Sequence, residues 1–101
     1  MELLRVHIRC AIELDEQAQS QASALLVALA ESDQFRLAVR RWYAKFLQAF
    51  STLPPEQAAT ARAAFFASEG LSVLQCFGSL PISEEDRRAC LGEVLAILDR
   101  M

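Results

Sequence analysis

The stretch LPPEQAATARAAFFASEGLSVLQCFGSL, residues 53–80, decides the fold because it predicts one helix long enough to cross a small domain. It opens on Pro54 and Pro55 and reaches Gly78 near its end. Proline in the first helical turn and glycine just past the last turn are the usual asymmetry of helix ends. We therefore predict a helix over residues 55–77.

Apolar side chains occupy two faces of this predicted helix. The first face is a stripe at three- and four-residue spacing, formed by Ala63, Phe66, Ala67, Gly70, Leu71, Leu74 and Phe77. The second set lies away from it and comprises Ala61, Phe65, Val73 and Cys76. A helix that is apolar on more than one side is covered by neighbouring helices or shared between subunits. Gly70 predicts a close helix crossing, since glycine costs about 1 kcal/mol relative to alanine inside a helix.

The composition of the whole chain favours one domain with a partner. The chain has 101 residues, of which 53% are apolar, and this excess predicts that some apolar surface is buried against another molecule. No apolar run approaches the roughly 20 residues of a membrane span, so no membrane contact is predicted. The net charge of −3 argues against direct nucleic-acid binding. Three cysteines without C-x-x-C spacing predict a reduced, cytoplasmic setting.

The remaining segments also read as helices, so we predict an all-α bundle of about five helices. Residues 1–14 alternate as a strand would, but no second strand pattern could pair with them, which favours a helix. Residues 15–20 form a turn or a helix start before an apolar helix over residues 21–31. Asp33 is predicted to cap a helix over residues 35–50. Ser83 is predicted to cap the last helix, residues 84–99, which forms an antiparallel hairpin with the helix over residues 55–77.

The third predicted helix concentrates the aromatic residues on one face. Its aromatic face consists of Phe35, Val39, Trp42, Tyr43, Phe46 and Phe50. Such a face either packs as ordinary core or lines a ligand cavity, because ligand cavities are mostly apolar with a few polar groups. The opposite face carries Arg36, Arg40, Arg41 and Lys45, which we interpret as a solvated surface because the chain as a whole is acidic.

Other polar residues form no catalytic, metal or cofactor site by pattern. His7 and Cys10 share a helical face, but two ligands do not make a structural zinc site. The carboxylates at residues 84–86 suit the positive end of a helix dipole. Glu69 interrupts an apolar helix, and we expect it to pair with Arg62 or Arg88 or to face solvent. No glycine-rich phosphate loop or nucleophile motif is present, so we predict a protein that is not an enzyme.

Three pieces of the sequence together resemble a known family. They are ALLVALAESDQFRLAVRRWYAKFL at residues 24–47, ARAAFFASEGLSVLQCFGSLPIS at residues 61–83, and EEDRRACLGEVLAILDR at residues 84–100. Their order resembles the C-terminal domain of tetracycline-repressor-type (TetR) transcriptional regulators. The matched features include the Glu69-Gly70-Leu71 step, where many subgroups have Asp in place of Glu, and the G-x-x-P-I-S turn at residues 78–83.

The resemblance implies a division of labour within a longer protein. An N-terminal helix-turn-helix domain, which we expect to be missing from this chain, would read DNA. The C-terminal helices would bind a small apolar or aromatic effector, and the last two helices would pair with those of a second copy as a four-helix homodimer interface. We expect the effector to contact Leu25, Leu29, Trp42, Tyr43, Phe46 and Phe65. We expect the dimer interface to contain Phe66, Gly70, Leu71, Leu74, Phe77, Leu91, Val94, Leu95 and Leu98.

Two hypotheses from other functional classes compete with this interpretation. A helical protein–protein adaptor would bury the same hairpin against a different partner and would bind no small molecule. An enzyme would need an acid–base or nucleophile constellation that the sequence does not show. The adaptor predicts a closed core, whereas the sensor predicts a cavity near Trp42.

Overall fold

The computed structural model describes residues 1–76, 78 and 80–101, and the side chain of Glu16 is outside this description. Over that part of the chain the protein consists of five α-helices and no strand, which confirms the all-α prediction. The helices are α1 (Glu2–Glu13), α2 (Glu16–Glu31), α3 (Asp33–Ser51), α4 (Pro55–Cys76) and α5 (Glu84–Asp99). Residues 1–14 are helical despite their alternating pattern because Leu4 and Ile8, one helical turn apart, are buried together.

Local polar residues fix where the helices begin. Ser83 caps α5 by accepting a hydrogen bond from the backbone N–H of Asp86 at 3.0 Å, as predicted. The predicted cap at Asp33 is wrong, because Ser32 caps α3 by accepting from the N–H of Phe35 at 3.1 Å. Asp15 caps α2 in the same way, so this helix begins at Glu16. Residues 15–20, predicted as a turn or a helix start, are therefore the cap and the first residues of α2.

Gly78 turns the chain after α4. Its φ angle is +67°, in the left-handed region that glycine adopts without steric cost, and its N–H donates to the carbonyl of Gln75 at 2.9 Å. This agrees with the predicted helix stop. Phe77, which we predicted as the last residue of this helix, lies outside the described residues.

The helices α4 and α5 form the predicted antiparallel hairpin. The start of α4 lies beside the end of α5, where Thr60 and Ile97 line one surface depression. At the other end, the Gln75 amide of α4 donates to the Glu84 carboxylate of α5 at 3.1 Å. The core combines side chains from four helices, namely Leu4, Ile8, Phe46, Phe50, Ala61, Ala64, Phe65, Leu91 and Leu98.

A buried arginine fastens the end of α1 to α5. Only 3% of Arg87 is exposed. Its guanidinium donates to the carbonyls of Ala11 at 2.7 Å and Leu14 at 3.1 Å. It also pairs with Glu84 one turn before it at 3.1 Å. Because the last carbonyls of a helix lack partners within the helix, Arg87 supplies donors to carbonyls at the α1 C-terminus.

Helix α2 is peripheral to this core. None of its described side chains is fully buried, and Leu25 and Val27 are more than half exposed. The molecule measures 36 × 34 × 19 Å, so its short dimension holds about two layers of helices. As a result, α2 covers one side of α3 and α4 without sealing it. No helix in the described residues is long and apolar enough to cross a membrane.

Candidate ligand-binding site

An apolar cavity of about 230 Å³ lies where α2 rests on α3 and α4. Helix α2 contributes small and aliphatic side chains, α3 contributes mainly aromatic rings, and α4 contributes Glu69 and Ser72 beside Val73 and Cys76. The lining residues are Ala22, Leu25, Leu26, Leu29, Phe35, Val39, Trp42, Tyr43, Glu69, Ser72, Val73 and Cys76. The cavity exists because α2 packs at the edge of the bundle, where its leucines meet the α3 aromatic face without filling the space beneath it.

A second space, a groove of about 490 Å³, lies between α3 and α4 and, like the cavity, opens to solvent. It is lined by Tyr43, Leu47, Phe65, Phe66, Glu69, Gly70 and Val73. Tyr43, Glu69 and Val73 also line the cavity, so these three side chains separate the two spaces. The groove reaches the exposed face of α4, where 60% of Phe66 is accessible to solvent.

Aromatic rings pack edge to face beneath the cavity. The ring centroids of Trp42 and Tyr43 are 5.0 Å apart, and those of Trp42 and Phe46 are 5.1 Å apart. The His7 ring of α1 contacts Trp42 at 5.2 Å and Phe46 at 5.1 Å. These spacings are favourable for aromatic pairs, and they connect α1 to the aromatic face of α3.

A polar cluster of His7, Tyr43 and Glu69 joins α1, α3 and α4 at this site. His7 Nε2 is hydrogen-bonded to Glu69 Oε1, and the Tyr43 hydroxyl donates to Glu69 Oε2 at 2.5 Å. The side chains of His7 and Glu69 are only 22% and 18% exposed. The expectation that Glu69 pairs with Arg62 or Arg88 or faces solvent is therefore wrong, and both arginines are exposed on the surface.

The cluster fixes the protonation states of two of its members. Burial alone would raise the pKa of Glu69, but hydrogen bonds from His7 and Tyr43, with the charge of His7, lower it overall. The Glu69 carboxyl is therefore ionised near neutral pH. Burial, followed by the hydrogen bond to Glu69 and its charge, raises the pKa of Tyr43 well above its usual range, so this phenol remains protonated.

The predicted ligand-binding residues are distributed between the two spaces and the core. Leu25, Leu29, Trp42 and Tyr43 line the cavity. Phe65 lines the groove together with Tyr43. Phe46 lines neither space, because it is 1% exposed and packs in the core below Trp42.

The predicted dimer residues also divide by burial. Phe66 and Leu74 are exposed on α4, and Leu71, Val94 and Leu95 are partly buried against the core. Leu91 and Leu98 are fully buried within the protomer, so they lie beneath any surface that α5 presents. Phe77 lies outside the described residues.

The predicted helix crossing at Gly70 is wrong within one protomer. A Cβ built at Gly70 would meet nothing within 4 Å in the part of the chain that the structure describes. The helices next to α4 pack against its buried face, whereas Gly70 lies on the side of α4 that carries Phe66. The absence of a side chain there leaves the groove open.

Glu69 and Arg87 are two charged residues whose positions the sequence analysis missed. Glu69 lies four residues after Phe65 and four before Val73, which places it on the buried second face of α4. Arg87 lies four residues before Leu91 and therefore extends the buried stripe of α5. In both cases the signal was a charged residue in register with apolar neighbours. Among the described residues no group of three or more histidines, cysteines and carboxylates could hold a metal ion.

Comparison with known proteins gives one match. A family model described as the tetracycline repressor-like, C-terminal domain matches residues 1–99. No curated protein and no solved structure matches the chain. The matched residues span all five helices, so the cavity, the groove, the polar cluster and the α4–α5 hairpin all lie inside the matched region.

Proposed function

This chain belongs to the tetracycline-repressor-like C-terminal domain family, and we propose that it is the ligand-sensing and dimerisation domain of a transcriptional regulator of that type. Domains of this family are parts of transcription regulators. We propose that DNA is read by a separate helix-turn-helix domain on the N-terminal side of α1, since the chain itself is acidic. Such a regulator works in the cytoplasm, where its unpaired cysteines stay reduced.

The cavity between α2, α3 and α4 is the observation that carries the sensing proposal. It has the apolar lining, the aromatic rings and the few polar groups that small-molecule sites use. A small apolar or aromatic effector would bury its surface against Leu25, Leu29 and Trp42. An adaptor without a ligand has no need of such a space.

Filling the cavity from α2 tests the proposal. Ala22 lines the cavity, and Ala24, on the same helix, is exposed and does not line it. We expect cyclohexylmethanol and adamantylmethanol to bind the wild type saturably, seen as a change in emission of Trp42, the only tryptophan. We expect Ala22→Phe to abolish this change and Ala24→Phe to preserve it. Equal titration curves for the two variants would contradict a ligand site in this cavity.

The dimerisation proposal rests on the exposed face of α4. Phe66 is 60% exposed and Leu74 is 48% exposed, and Gly70 leaves room for the approach of a second copy between them. Because an exposed apolar stripe of this kind is costly in water, a second copy of the hairpin is the partner we propose, related by a twofold axis. Val94 and Leu95 of α5 would complete the four-helix interface, supported from beneath by Leu91 and Leu98.

The polar cluster offers a route from the cavity to α1. Glu69 lines the cavity, and its Oε1 contacts His7 on α1. A ligand changes DNA affinity only if it binds one conformation better than another, so we propose that effector contact at Tyr43 and Glu69 biases the position of α1. In a full-length regulator, His7→Ala would reduce the effect of the effector on operator affinity. An unchanged effect would exclude this route.

A further inference from the structure

We infer that the cavity selects effectors that carry a positive charge on an apolar body, with Glu69 as the group that recognises the charge. The inference rests on the proposed sensing function, because it names the ligand class of the same cavity. It goes beyond that function because an apolar lining alone would favour a neutral ligand.

The charged side chain that lines the cavity is acidic. Glu69 is the only charged residue among the described residues that line either the cavity or the groove. The basic residues of α3, such as Arg40 and Lys45, are exposed and line neither space. Hydrogen bonds from His7 and Tyr43 hold the carboxylate ionised. His7 contacts Oε1 from outside the lining and offsets part of the negative charge, so a ligand meets the carboxylate with no basic side chain among the described lining residues.

The Glu69 carboxylate retains acceptor capacity for a ligand. Each of its two oxygens has one contact in the described residues, His7 Nε2 at Oε1 and the Tyr43 hydroxyl at Oε2. A carboxylate offers about four lone-pair positions, so an ammonium group could donate to it without displacing either partner. His7 and Tyr43 also orient the carboxylate, which reduces the ordering cost of binding.

Aromatic rings on the α3 side of the cavity suit the same ligand. Phe35, Trp42 and Tyr43 line the cavity together with Glu69. Aromatic faces attract cations, and cages of such rings recognise ammonium groups. An anionic ligand would lose its hydration without gaining a cationic partner in the lining, and it would be repelled by Glu69. Binding of an anion is therefore disfavoured.

A matched series of ligands tests the inference. Adamantylmethylamine, adamantylmethanol and adamantane carboxylate share one apolar body and differ in charge. We expect the amine to bind the wild-type chain about tenfold or more tightly than the alcohol, and the carboxylate more weakly than both. Isothermal titration calorimetry at neutral pH measures all three affinities, and the Trp42 emission reports whether the ligand is in the cavity.

The variant Glu69→Gln isolates the charge, and Glu56→Gln, at the exposed start of the same helix, is its matched control. We expect Glu69→Gln to reduce the preference for the amine to less than about threefold while affinity for the alcohol changes little. Glu56→Gln should retain the wild-type preference. An amine preference that survives Glu69→Gln, or a wild type that binds the alcohol as tightly as the amine, would overturn the inference and leave the sensing function intact.

A second variant keeps the inference testable if Glu69→Gln does not fold. Ser72 lines the cavity one turn after Glu69, so Ser72→Lys would place an ammonium group of the protein beside the carboxylate. We expect this variant to lose the amine preference and to bind the carboxylate better than the wild type does. If none of the three ligands binds the wild type, both the inference and the sensing function fail.

Discussion

At the scale of single residues, Glu69 joins three helices through two hydrogen bonds. His7 reaches it from α1 and Tyr43 from α3, and both contacts are largely shielded from solvent. Charge-assisted hydrogen bonds of this kind are stronger than neutral ones, and leaving a buried partner unpaired is costly. Glu69 is therefore important for the fold as well as for the cavity.

The lowered pKa of Glu69 makes the stability of the protein sensitive to acid. A carboxyl whose pKa is lower in the folded state contributes stability above its unfolded pKa, and this stability is lost as the pH falls through the folded value. We expect Glu69→Gln to lower the free energy of unfolding by about 1–2 kcal/mol at neutral pH. The difference from wild type should shrink as the pH falls below the ordinary glutamate pKa of 4.5 and through the lowered pKa of Glu69, where the carboxyl becomes protonated. Urea unfolding at several pH values measures it, and a difference that grows with acid would contradict the assignment.

Arg87 gives a second prediction at this scale. We expect Arg87→Met to lower the free energy of unfolding by about 2 kcal/mol or more, because the carbonyls at the end of α1 and the Glu84 carboxylate each lose one buried, charged donor. Its neighbour Arg88 is exposed, so Arg88→Met should change stability by less than about 0.5 kcal/mol. Equal urea midpoints for the two variants would mean that Arg87 does not fasten α1.

Residue-level chemistry was the hardest part to predict from the sequence. His7 and Glu69 are 62 positions apart, so no local spacing could pair them. From the sequence we predicted Arg62, Arg88 or solvent as the partner of Glu69, because a salt bridge to an arginine is the usual expectation for a carboxylate on a helix. The spacing of Glu69 from Phe65 and Val73 was the available signal, since it placed a charged residue on a buried face of α4. The cap at Ser83 was predictable because capping depends on neighbours three residues apart.

At the scale of helices, α4 separates the two proposed functions. Its buried face holds Phe65, whose ring packs against Tyr43, Phe46 and Phe50. Its outer side exposes Phe66, whose ring centroid still lies 5.4 Å from that of Phe65. The two predicted apolar sets correspond to these faces only in part. Ala61 and Phe65 of one set are buried and Phe66 of the other is exposed, but Leu71, predicted on the same stripe as Phe66, packs against the core.

Adjacent phenylalanines on α4 therefore predict different outcomes. We expect Phe65→Ala to lower the free energy of unfolding of the protomer by about 3–5 kcal/mol, because it empties a core position that is 5% exposed. We expect Phe66→Ala to leave protomer stability within about 1 kcal/mol and to weaken self-association instead. Chemical denaturation at high dilution, followed by sedimentation of both variants, separates the two effects. A large loss of protomer stability in Phe66→Ala would contradict the division of α4.

The positions of the helices along the chain could be predicted from the sequence, whereas their packing against one another could not. Periodicity and end signals gave α4 and α5 to within a residue, because these signals are local. The peripheral position of α2 could not be predicted, since the same apolar pattern is compatible with a buried helix and with a half-exposed one. The prediction of a helix crossing at Gly70 failed within the protomer because a sequence pattern does not show which helix, if any, faces a given residue.

At the scale of the whole molecule, the bundle has a cavity under α2 and an exposed apolar surface on α4. The short dimension of 19 Å allows about two helix layers, so a single protomer cannot cover both faces of the α4–α5 hairpin. Covering the outer face with a second copy would leave the α2 cavity accessible. Sensing and dimerisation can then coexist on the same helix, since Glu69 and Phe66 both border the groove between them.

Sedimentation equilibrium of this chain, over a wide concentration range, is the most direct test of a sensor that works as a dimer. We expect a mass of twice the 11.2 kDa of one chain, and we expect Phe66→Glu to shift it to the monomer mass because a charge would lie unpaired in the interface. The control Leu37→Glu, on an exposed position of α3, should remain a dimer. A wild type that stays monomeric at every concentration would contradict the dimeric sensor.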